Sequence, residues 1–352
     1  MTLDIYKGKK VFVTGHTGFK GAYMVKLLSM LGASVTGYAL APEEESAFNI
    51  MNIDRLCNGV TGDIRDVSAL KAAYKEAEPE IVFHLAAQPI VLESYKDPLY
   101  TYETNVMGTA NLLECVRLFG AKSVVNITTD KVYKNREWEW GYRENEELDG
   151  FDPYSNSKSC SELVTKTYKR SFLDEKNIAV STMRAGNVIG GGDFAKDRII
   201  PDCVRAVREG RDIILRNPAS VRPFQHVLEP VYAYLLVAAR QAEDIDLSGS
   251  YNIGPDEGDA VTTACLSDMF VKYWGEGAAW RSEAREGGHE ASYLKLDNSK
   301  IKNTFGIRPR LHIDDAVRLT VEWTKAYFKG ENVEKLTEKQ IADFLAAGEK
   351  IV

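Results

Sequence analysis

The chain has few cysteines and no motif that would pair them. Its 352 residues contain five, which lie far apart and without C-x-x-C spacing, at Cys57, Cys115, Cys160, Cys203 and Cys265. An odd number of separated cysteines argues against a disulfide framework and against a zinc site. We therefore expect a reduced, cytoplasmic protein that holds no metal.

Long apolar runs and an excess of positive charge are also absent. No segment reaches the roughly 20 apolar residues of a membrane-spanning helix, and the first residues lead into an apolar strand without the features of a signal peptide. The formal net charge is −7 at pH 7, whereas nucleic-acid-binding domains usually carry a net basic face. We expect neither a membrane nor a nucleic acid as partner.

Up to about residue 185, the chain alternates short β-branched runs with amphipathic segments. Strands are predicted at residues 11–14, 33–40, 80–85, 123–128 and 179–184. Alternation of strands and helices predicts a parallel sheet with right-handed crossovers. The expected fold class is α/β, with a doubly wound parallel sheet of the Rossmann type.

The pattern loosens beyond residue 185 into glycine- and proline-containing turns between helices predicted at 200–209, 229–241 and 316–328. We expect residues 1–185, completed by segments around 226–255, to form the sheet domain. Residues 186–352 should form mainly a smaller, mixed α/β lobe for the substrate. No flexible linker separates the two lobes, so they should interleave in sequence.

Three glycines with the spacing G-x-x-G-x-x-G follow the first predicted strand and open a helix. This spacing lets the backbone approach a pyrophosphate at the positive end of a helix. A tight turn without a ligand is the alternative for such a motif by itself. The predicted cofactor turn consists of Gly15, Thr17, Gly18, Phe19, Lys20 and Gly21.

The residues after the second strand favour NAD over NADP. Tyr38-Ala39-Leu40-Ala41 replaces the usual acidic ribose ligand, and no arginine is present there for a 2′-phosphate. Asp63, followed by Ile64, comes after a third strand and could accept a hydrogen bond from adenine. Helix capping is an equal alternative for this carboxylate, and Asp66 or Ser68 could supply the cap instead.

Small side chains end the fourth strand, where Ala86, Ala87 and Gln88 suit close approach by a flat cofactor or, alternatively, tight helix–sheet packing. Asn105 and Thr128 complete the predicted cofactor contacts. His84, inside the fourth strand, is expected to be a hydrogen-bonded core histidine.

Five polar residues are predicted to form a reaction centre: Thr129, Asp130, Lys131, Tyr154 and Lys158. The first three follow the fifth strand, at the edge where open α/β sheets bind ligands. Tyr154 and Lys158 share a helical face, so the ammonium could lower the phenol pKa from its reference near 10. This makes Tyr154 a candidate base. The alternatives are a solvated turn for Asp130-Lys131 and a core aromatic role for Tyr154.

These residues resemble the extended short-chain dehydrogenase/reductases, which use a Thr/Ser–Tyr–Lys triad and a G-x-x-G-x-x-G turn. Within that family the chain is most similar to dehydratases that act on CDP-glucose. It departs from them at Ala22-Tyr23, where Ser-Trp is common, and at residues 43–47. The similarity spans roughly residues 9–325 and is carried by residues 15–21, 128–133, 138–145, 153–158, 184–193, 216–218, 222–230 and 289–291.

The resemblance implies an NAD-dependent lyase of deoxysugar biosynthesis. Tyr154 would take the proton of the sugar 4-hydroxyl, Thr129 would bond the same hydroxyl, and Lys158 would hold the nicotinamide ribose. NAD would accept the C4 hydride and, after water is lost from C5 and C6, return it to C6. Asp130 would protonate the departing 6-hydroxyl. At the position of Lys131 the related dTDP-glucose dehydratases have a glutamate that serves as the C5 base. We hypothesise that Lys131 takes the C5 proton here, with its pKa lowered by desolvation and by the nearby Lys158.

The resemblance also suggests a substrate subsite and an oligomer. Arg222 and Asn187 are the leading candidates for the diphosphate, because an arginine fork matches two phosphate oxygens. Weaker candidates are Arg198, His226 and Arg281, and surface ion pairing is the alternative for the arginines. Segments 105–119 and 154–172 could pair across a two-fold axis into a homodimer or a dimer of dimers, with burial inside the monomer as the alternative.

Three other functions compete with the dehydratase. A sugar-nucleotide 4-epimerase shares the triad but needs no acid and base for elimination, so Asp130-Lys131 speaks against it. A net dehydrogenase would accumulate NADH. A non-catalytic nucleotide-sugar-binding regulator normally has a broken triad, whereas the triad of this chain is intact.

Overall fold

The structure is a computed structural model that describes residues 3–283 and 293–347. The His289-Glu290-Ala291 part of the family resemblance lies outside these residues. The strands are β1 Lys10–Thr14, β2 Ser34–Ala39, β3 Asn58–Thr61, β4 Ile81–His84, β5 Ser123–Thr129, β6 Ala179–Ala185, β7 Val188–Ile189, β8 Ile213–Leu215, β9 Val221–Arg222, β10 Gln225–His226, β11 Ser250–Ile253, β12 Val261–Thr262 and β13 Trp280–Ser282.

The helices frame these strands. They are α1 Phe19–Met30, α2 Ala47–Ile50, α3 Val67–Ala77, α4 Val91–Lys96, α5 Pro98–Tyr102, α6 Gly108–Phe119, α7 Pro153–Tyr168, α8 Ile199–Arg208, α9 Leu228–Glu243, α10 Thr263–Trp274, α11 Ser299–Phe305, α12 Ile313–Phe328 and α13 Val333–Ala347. In the described part of the chain, no helix is long and apolar enough to cross a membrane.

Seven strands form one parallel sheet in the order β11-β6-β5-β4-β1-β2-β3. Successive side chains of a strand point to opposite faces, so Val11 and Val13 of β1 join the core beneath α1 and α9. Phe12 joins the core beneath α3 and α6 on the other face. The predicted doubly wound α/β fold is confirmed.

The order in which strands are added to the sheet changes sides between β1 and β4. Strands β2 and β3 lie on one side of this point, and β5 and β6 lie on the other. In an open α/β sheet, ligands bind at this switch point, outside the carboxyl ends of the strands. The predicted cofactor turn follows β1, and Thr129 is the last residue of β5. The topology therefore brings both to one edge.

The smaller lobe contains three strand pairs, β7 with β10, β9 with β12 and β8 with β13. Its core is an apolar cluster around Phe224, Phe270 and Trp274, between α8, α10 and α12. The chain does not stay in this lobe, because β11 returns to the edge of the main sheet beside β6. Helix α9 also packs beneath that sheet against β5 and β6.

Candidate active site

The glycine turn is shaped by close backbone contacts. Gly15 has a φ of 73°, and a Cβ added to it would lie 2.6 Å from the backbone nitrogen of Ala86. A Cβ on Gly21 would lie 2.2 Å from the carbonyl oxygen of Gly15. Gly18 is the N-cap of α1 and has no side chain to bond the first N–H groups of the helix, so these groups fit a pyrophosphate.

Polar contacts beside the turn fix the ends of β2 and β3. The Thr17 hydroxyl donates to the carbonyl of Leu40 at 3.0 Å, and the Tyr38 hydroxyl donates to the carbonyl of Asp63 at 3.0 Å. This is the side where the adenosine half of a dinucleotide is expected. Ile64 is buried there and packs against Gly108.

Asp63 pairs with Arg65 instead of capping a helix. The Arg65 guanidinium donates to Asp63 Oδ2 at 2.7 Å, and this hydrogen bond lowers the pKa of the Asp63 carboxyl. Helix α3 is capped by Asp66, which accepts from the backbone N–H groups of Ser68 and Ala69 at 3.0 Å each. The capping alternative for Asp63 is therefore wrong.

Two amide side chains brace the loop after β4. Asn105 Oδ1 accepts from the backbone N–H of Gln88 at 2.8 Å, and Asn105 Nδ2 donates to Ser157 of α7 at 2.8 Å. The Gln88 amide donates to Thr101 at 2.9 Å. Both predicted cofactor residues thus connect this loop to neighbouring helices.

His84 is buried between two hydroxyl groups. Its Nδ1 lies 2.7 Å from Thr14 Oγ1 and its Nε2 lies 3.1 Å from Thr109 Oγ1. Burial, followed by the charge of Lys158, lowers the pKa of His84 to about 3. The expected role as a hydrogen-bonded core histidine is confirmed.

Helix α7 presents Tyr154 at its first turn. Asp152 caps the helix by accepting from the backbone N–H of Ser155 at 3.0 Å, and Pro153 occupies the first turn. Tyr154 is hydrogen-bonded to Thr129, whose hydroxyl donates to Asp130 Oδ1 at 2.9 Å. The ends of β5 and α7 therefore meet as the sequence predicted.

The phenol pKa differs from the sequence expectation. Burial raises the pKa of Tyr154 to about 12, against the opposing hydrogen bond to Thr129. Lys158 Nζ donates to the Ile127 carbonyl at 3.2 Å, and within the described chain no hydrogen bond joins it to the phenol. Helical spacing thus gives Tyr154 and Lys158 a shared face, but burial outweighs the expected lowering in this state.

Lys158 is itself strongly affected by burial. Burial and the positive charge of Lys20 lower the pKa of Lys158 to about 7, and the Glu162 carboxylate acts in the opposite direction. The Lys158 residue is 5% exposed. The protonation state of this lysine is therefore poised near neutral pH.

Asp130 carries an unsatisfied carboxyl oxygen. The residue is 1% exposed, and its Oδ2 is buried with no hydrogen-bond partner among the described residues. A buried polar atom without a partner is costly, so Oδ2 fits a substrate group or a water molecule. Lys131 follows in the same short turn and is half-buried.

Thr128 belongs to a buried network that the sequence reasoning missed. Its hydroxyl donates to Glu162 Oε1 at 2.6 Å, and Arg184 donates to both oxygens of Glu162, at 3.0 and 2.8 Å. Arg184 also donates to Tyr133 at 2.8 Å. The Thr128 hydroxyl therefore faces protein groups, and the network locks α7 onto β5 and β6. Only the helical spacing from Lys158 to Glu162 signals it in the sequence.

The substrate candidates lie in different environments. Asn187 Oδ1 is buried without a partner in the described chain, and Arg222 is 5% exposed on β9. His226 is buried, with a pKa lowered to about 3 by burial, so it is a neutral hydrogen-bonding group. Its Nδ1 accepts from the backbone N–H of Leu228 at 3.3 Å.

Arg198 and Arg281 have different surroundings. Arg198 donates to Asp193 at 3.1 Å, and its charge acts on both Tyr154 and Lys20, which places it beside the reaction centre. Arg281 has a side chain 57% exposed and pairs with Asp212 and Glu283. Arg281 thus stands as a surface ion pair on β13.

Tyr234 of α9 is a second missed residue. Its hydroxyl is buried without a hydrogen-bond partner among the described residues, and burial with the charge of Tyr154 nearby raises its pKa. It lies in an apolar helical pattern, which gave no signal of a site.

Comparison with known proteins agrees with this geometry. The sequence matches the model of the NAD dependent epimerase/dehydratase family over residues 11–254. It is 47% identical to a CDP-glucose 4,6-dehydratase of Salmonella typhimurium over 352 aligned residues, which cover 98% of each protein.

Two solved structures share the fold with NAD bound. A dTDP-glucose 4,6-dehydratase from Streptomyces venezuelae is 26% identical, with a TM-score of 0.78, over 91% of this chain and 98% of that one. A UDP-glucose 4-epimerase from Thermus thermophilus is 25% identical, with a TM-score of 0.78, over 90% of this chain and 98% of that one.

Proposed function

Because the chain belongs to the NAD dependent epimerase/dehydratase family, we propose that it removes water from CDP-glucose and forms CDP-4-keto-6-deoxyglucose. The observation that carries the proposal is Asp130, whose free carboxyl oxygen is buried beside the Thr129–Tyr154 pair. An epimerase exchanges a hydride at C4 alone, whereas a dehydratase also needs an acid at C6. The similarity to the Salmonella enzyme supports CDP-glucose as the substrate.

The residues present fit NAD, the cofactor of the family. The turn from Gly15 to Gly21 would hold the pyrophosphate with open backbone N–H groups, and the region of Tyr38 and Asp63 would hold the adenosine. Lys158 would bond the nicotinamide ribose. When bound, NAD supplies a hydride acceptor for C4 of the sugar and later a hydride donor for C6.

The side chains of the reaction centre divide the proton transfers. Tyr154, hydrogen-bonded to Thr129, takes the proton of the sugar 4-hydroxyl, and Thr129 orients that hydroxyl. The resulting 4-ketone acidifies the C5 proton. Asp130 gives a proton to the departing 6-hydroxyl, and Lys131 takes the proton from C5.

The nucleotide diphosphate is assigned to the smaller lobe. Asn187 and the buried Arg222 are the leading contacts, with His226 as a neutral hydrogen-bonding group and Arg198 at the boundary with the reaction centre. Arg281 is the weakest member of this set, because two carboxylates already pair with its exposed side chain.

The protein is also proposed to be a cytoplasmic homodimer or a dimer of such dimers. Helices α6 and α7 pack side by side and leave an apolar face exposed, which includes Leu118 and Leu163 at 45% and 51% exposure. Two such faces would form a four-helix bundle across a two-fold axis. Sedimentation of Leu163→Glu should show monomer where the unmodified chain shows dimer.

The test of the activity is incubation with CDP-glucose and, separately, with dTDP-, UDP- and GDP-sugars, while product mass and NADH absorbance are followed together. Loss of one water from CDP-glucose without net NADH is the expected result. An unchanged mass with an inverted C4 would indicate the epimerase instead, and stoichiometric NADH would indicate a dehydrogenase.

Asp130→Asn sharpens this test, because it keeps the size of the side chain and removes its proton. We expect the dehydration rate to fall by about a hundredfold or more. The exposed Asp212→Asn serves as the matched control, with an expected change within about twofold. Retention of full activity by Asp130→Asn would contradict the assignment of the acid.

A further inference from the structure

The turn that carries Asp130 and Lys131 is short and is held at both ends. It is one helical turn, Asp130–Val132, between Thr129 and Tyr133. Inside it, the backbone N–H of Lys131 donates to the Thr129 hydroxyl at 3.4 Å. An isolated helical turn is unstable by itself, so the direction of this turn depends on the contacts of the residues that flank it.

The first end of the turn is tied to a buried carboxylate. The hydroxyl of Thr128, near the end of β5, donates to Glu162 Oε1 at 2.6 Å. Glu162 lies on α7 and is 2% exposed. Its other oxygen accepts from the Thr182 hydroxyl of β6 at 2.7 Å. The carboxylate is therefore fixed between α7, β5 and β6.

The second end of the turn is tied to the cation that pairs with this carboxylate. The Tyr133 hydroxyl accepts from Arg184 Nη1 at 2.8 Å and donates to Asn252 Oδ1 at 2.6 Å. Arg184 donates in turn to both oxygens of Glu162, at 3.0 and 2.8 Å. The Tyr133 ring stacks on Tyr142 with centroids 5.3 Å apart. Tyr133 is thus held by its ring as well as by its hydroxyl.

One buried ion pair therefore holds both ends of the turn. A bidentate arginine–carboxylate pair has a defined geometry, and the hydrogen bonds of a buried network reinforce one another. The Arg184–Glu162 pair thus fixes the span of the turn, and with it the positions of Asp130 and Lys131. Stability alone does not account for the pair well, because apolar residues of similar volume are often as stable as a buried ion pair or more so.

We propose that Tyr133, Arg184 and Glu162 are positioning residues that set the turn of Asp130 and Lys131 for the loss of water. The proposal rests on the proposed dehydratase function. In this step the C5–H bond breaks toward Lys131, and its electron pair forms the C5–C6 double bond. The C6–O bond breaks, and the oxygen leaves as water with the Asp130 proton. Both groups of the turn must be in place for this one step.

Tyr133→Phe tests the proposal, because it keeps the ring and removes the hydroxyl that accepts from Arg184. We expect kcat with CDP-glucose at saturating NAD to fall about tenfold or more, because a displaced turn misaligns both proton transfers. The NAD dissociation constant should change less than about threefold. Because C4 oxidation at Tyr154 precedes elimination, a larger fraction of the enzyme should hold NADH during turnover.

Tyr142→Phe is the matched control. Tyr142 is 1% exposed and belongs to the same stacked pair, and its hydroxyl donates to Asn135 at 2.9 Å. The same atom is thus removed from the same cluster while the bonds of Arg184 are kept. Both variants should lower Tm by about 2–4 °C, but kcat of Tyr142→Phe should stay within about twofold of the unmodified enzyme.

The outcomes separate this proposal from the proposed function. A Tyr133→Phe enzyme with a lowered Tm but a normal kcat and a normal NADH fraction would overturn the proposal, since Tyr133 would then be a structural residue alone. An unmodified chain that releases no water from any of the nucleotide sugars would refute the dehydratase function, and this proposal with it.

A second experiment needs no substrate. Thr128 bonds Glu162 and Tyr133 bonds Arg184, so thermal unfolding of Thr128→Val, Tyr133→Phe and the double variant reports coupling through the ion pair. We expect the Tm shift of the double variant to differ from the sum of the single shifts by about 2 °C or more. Additive shifts would overturn the proposal, because the two ends of the turn would then be held independently.

Discussion

The cofactor turn and the reaction centre lie at the same edge of the sheet but are built from different interactions. The turn is made by backbone atoms so close that a Cβ on Gly21 would lie 2.2 Å from the Gly15 carbonyl oxygen. The reaction centre is made by buried side chains that respond to neighbouring charges: Asp130 acts on Tyr154, and Lys20 and Glu162 act on Lys158. The cofactor turn therefore depends on the absence of side-chain volume, whereas the reaction centre depends on electrostatics.

This difference predicts how each region responds to substitution. A steric site fails when volume is added, and it tolerates changes to the charges at its rim. An electrostatic site keeps its shape when one atom is removed but loses the proton transfers that depend on that atom. The following variants test this contrast.

The largest effect is expected at Tyr154. Removal of its hydroxyl in Tyr154→Phe deletes the proposed base and leaves the ring, so kcat should fall about a thousandfold while NAD affinity stays nearly constant. Steady-state rates with product mass, and a separate NAD titration, measure the two quantities. Tyr168→Phe, at the end of the same helix, should keep its rate. A Tyr154→Phe enzyme with only a severalfold loss would require a different base.

A smaller but still large effect is expected at Gly21. The added methyl group of Gly21→Ala meets backbone atoms at 2.2 Å and should cost about 3 kcal/mol of overpacking, or about a hundredfold in NAD affinity. Gly258→Ala is the matched control, because Gly258, like Gly21, has no positive φ and has nothing described within 4 Å of its Cβ position. Equal losses of NAD affinity in both variants would indicate that crowding at Gly21 is not the cause.

The sequence predicted the steric part well, because local patterns determine it. The alternation of strand runs with amphipathic segments identified the doubly wound sheet, and the helix expected over residues 229–241 is observed as Leu228–Glu243. The position of Thr129 after the fifth predicted strand identified the edge where Thr129 and Tyr154 meet. These features depend on residues that are close in sequence or on the general topology of parallel sheets.

The electrostatic part could not be read from the sequence in the same way. The pKa of Tyr154 depends on burial by distant segments, and that of Lys158 depends on Lys20, which is 138 positions earlier. Arg184 reaches Glu162 only because β6 lies beside β5. Spacing shows which side chains share a face, but the sum of desolvation and charge needs the folded chain.

Lys158 offers a test of this electrostatic balance through stability. Its pKa is lowered from 10.5 to about 7 in the folded chain, so the unfolded chain binds more protons between these values and stability rises with pH across that window. Below pH 7 the full cost of the buried ammonium is present. At pH 6 the free energy of unfolding of Lys158→Met should therefore be about 1–2 kcal/mol higher than that of the unmodified chain. This difference in stability should shrink toward pH 10.

Denaturant unfolding at several pH values measures this difference. Lys10→Met, which removes an exposed ammonium, should show no such trend. If the difference in free energy of unfolding between Lys158→Met and the unmodified chain stays constant from pH 6 to pH 10, Lys158 is not desolvated. The opposing effects of Lys20 and Glu162 on its pKa would then not apply.

The smallest effect is expected at Asp63, on the rim of the cofactor turn. Its carboxylate pairs with Arg65, and both side chains are about one-third exposed, at 30% and 37%, so the pair itself contributes little. Removal of the carboxylate in Asp63→Ala should lower the affinity for NAD by about fivefold, which corresponds to the loss of the proposed hydrogen bond to adenine. NAD titration measures this loss, and AMP should lose affinity equally, because the contact is on the adenosine half. A loss as large as that of Gly21→Ala would show that the cofactor site also depends on charge, and the contrast between the two regions would no longer hold.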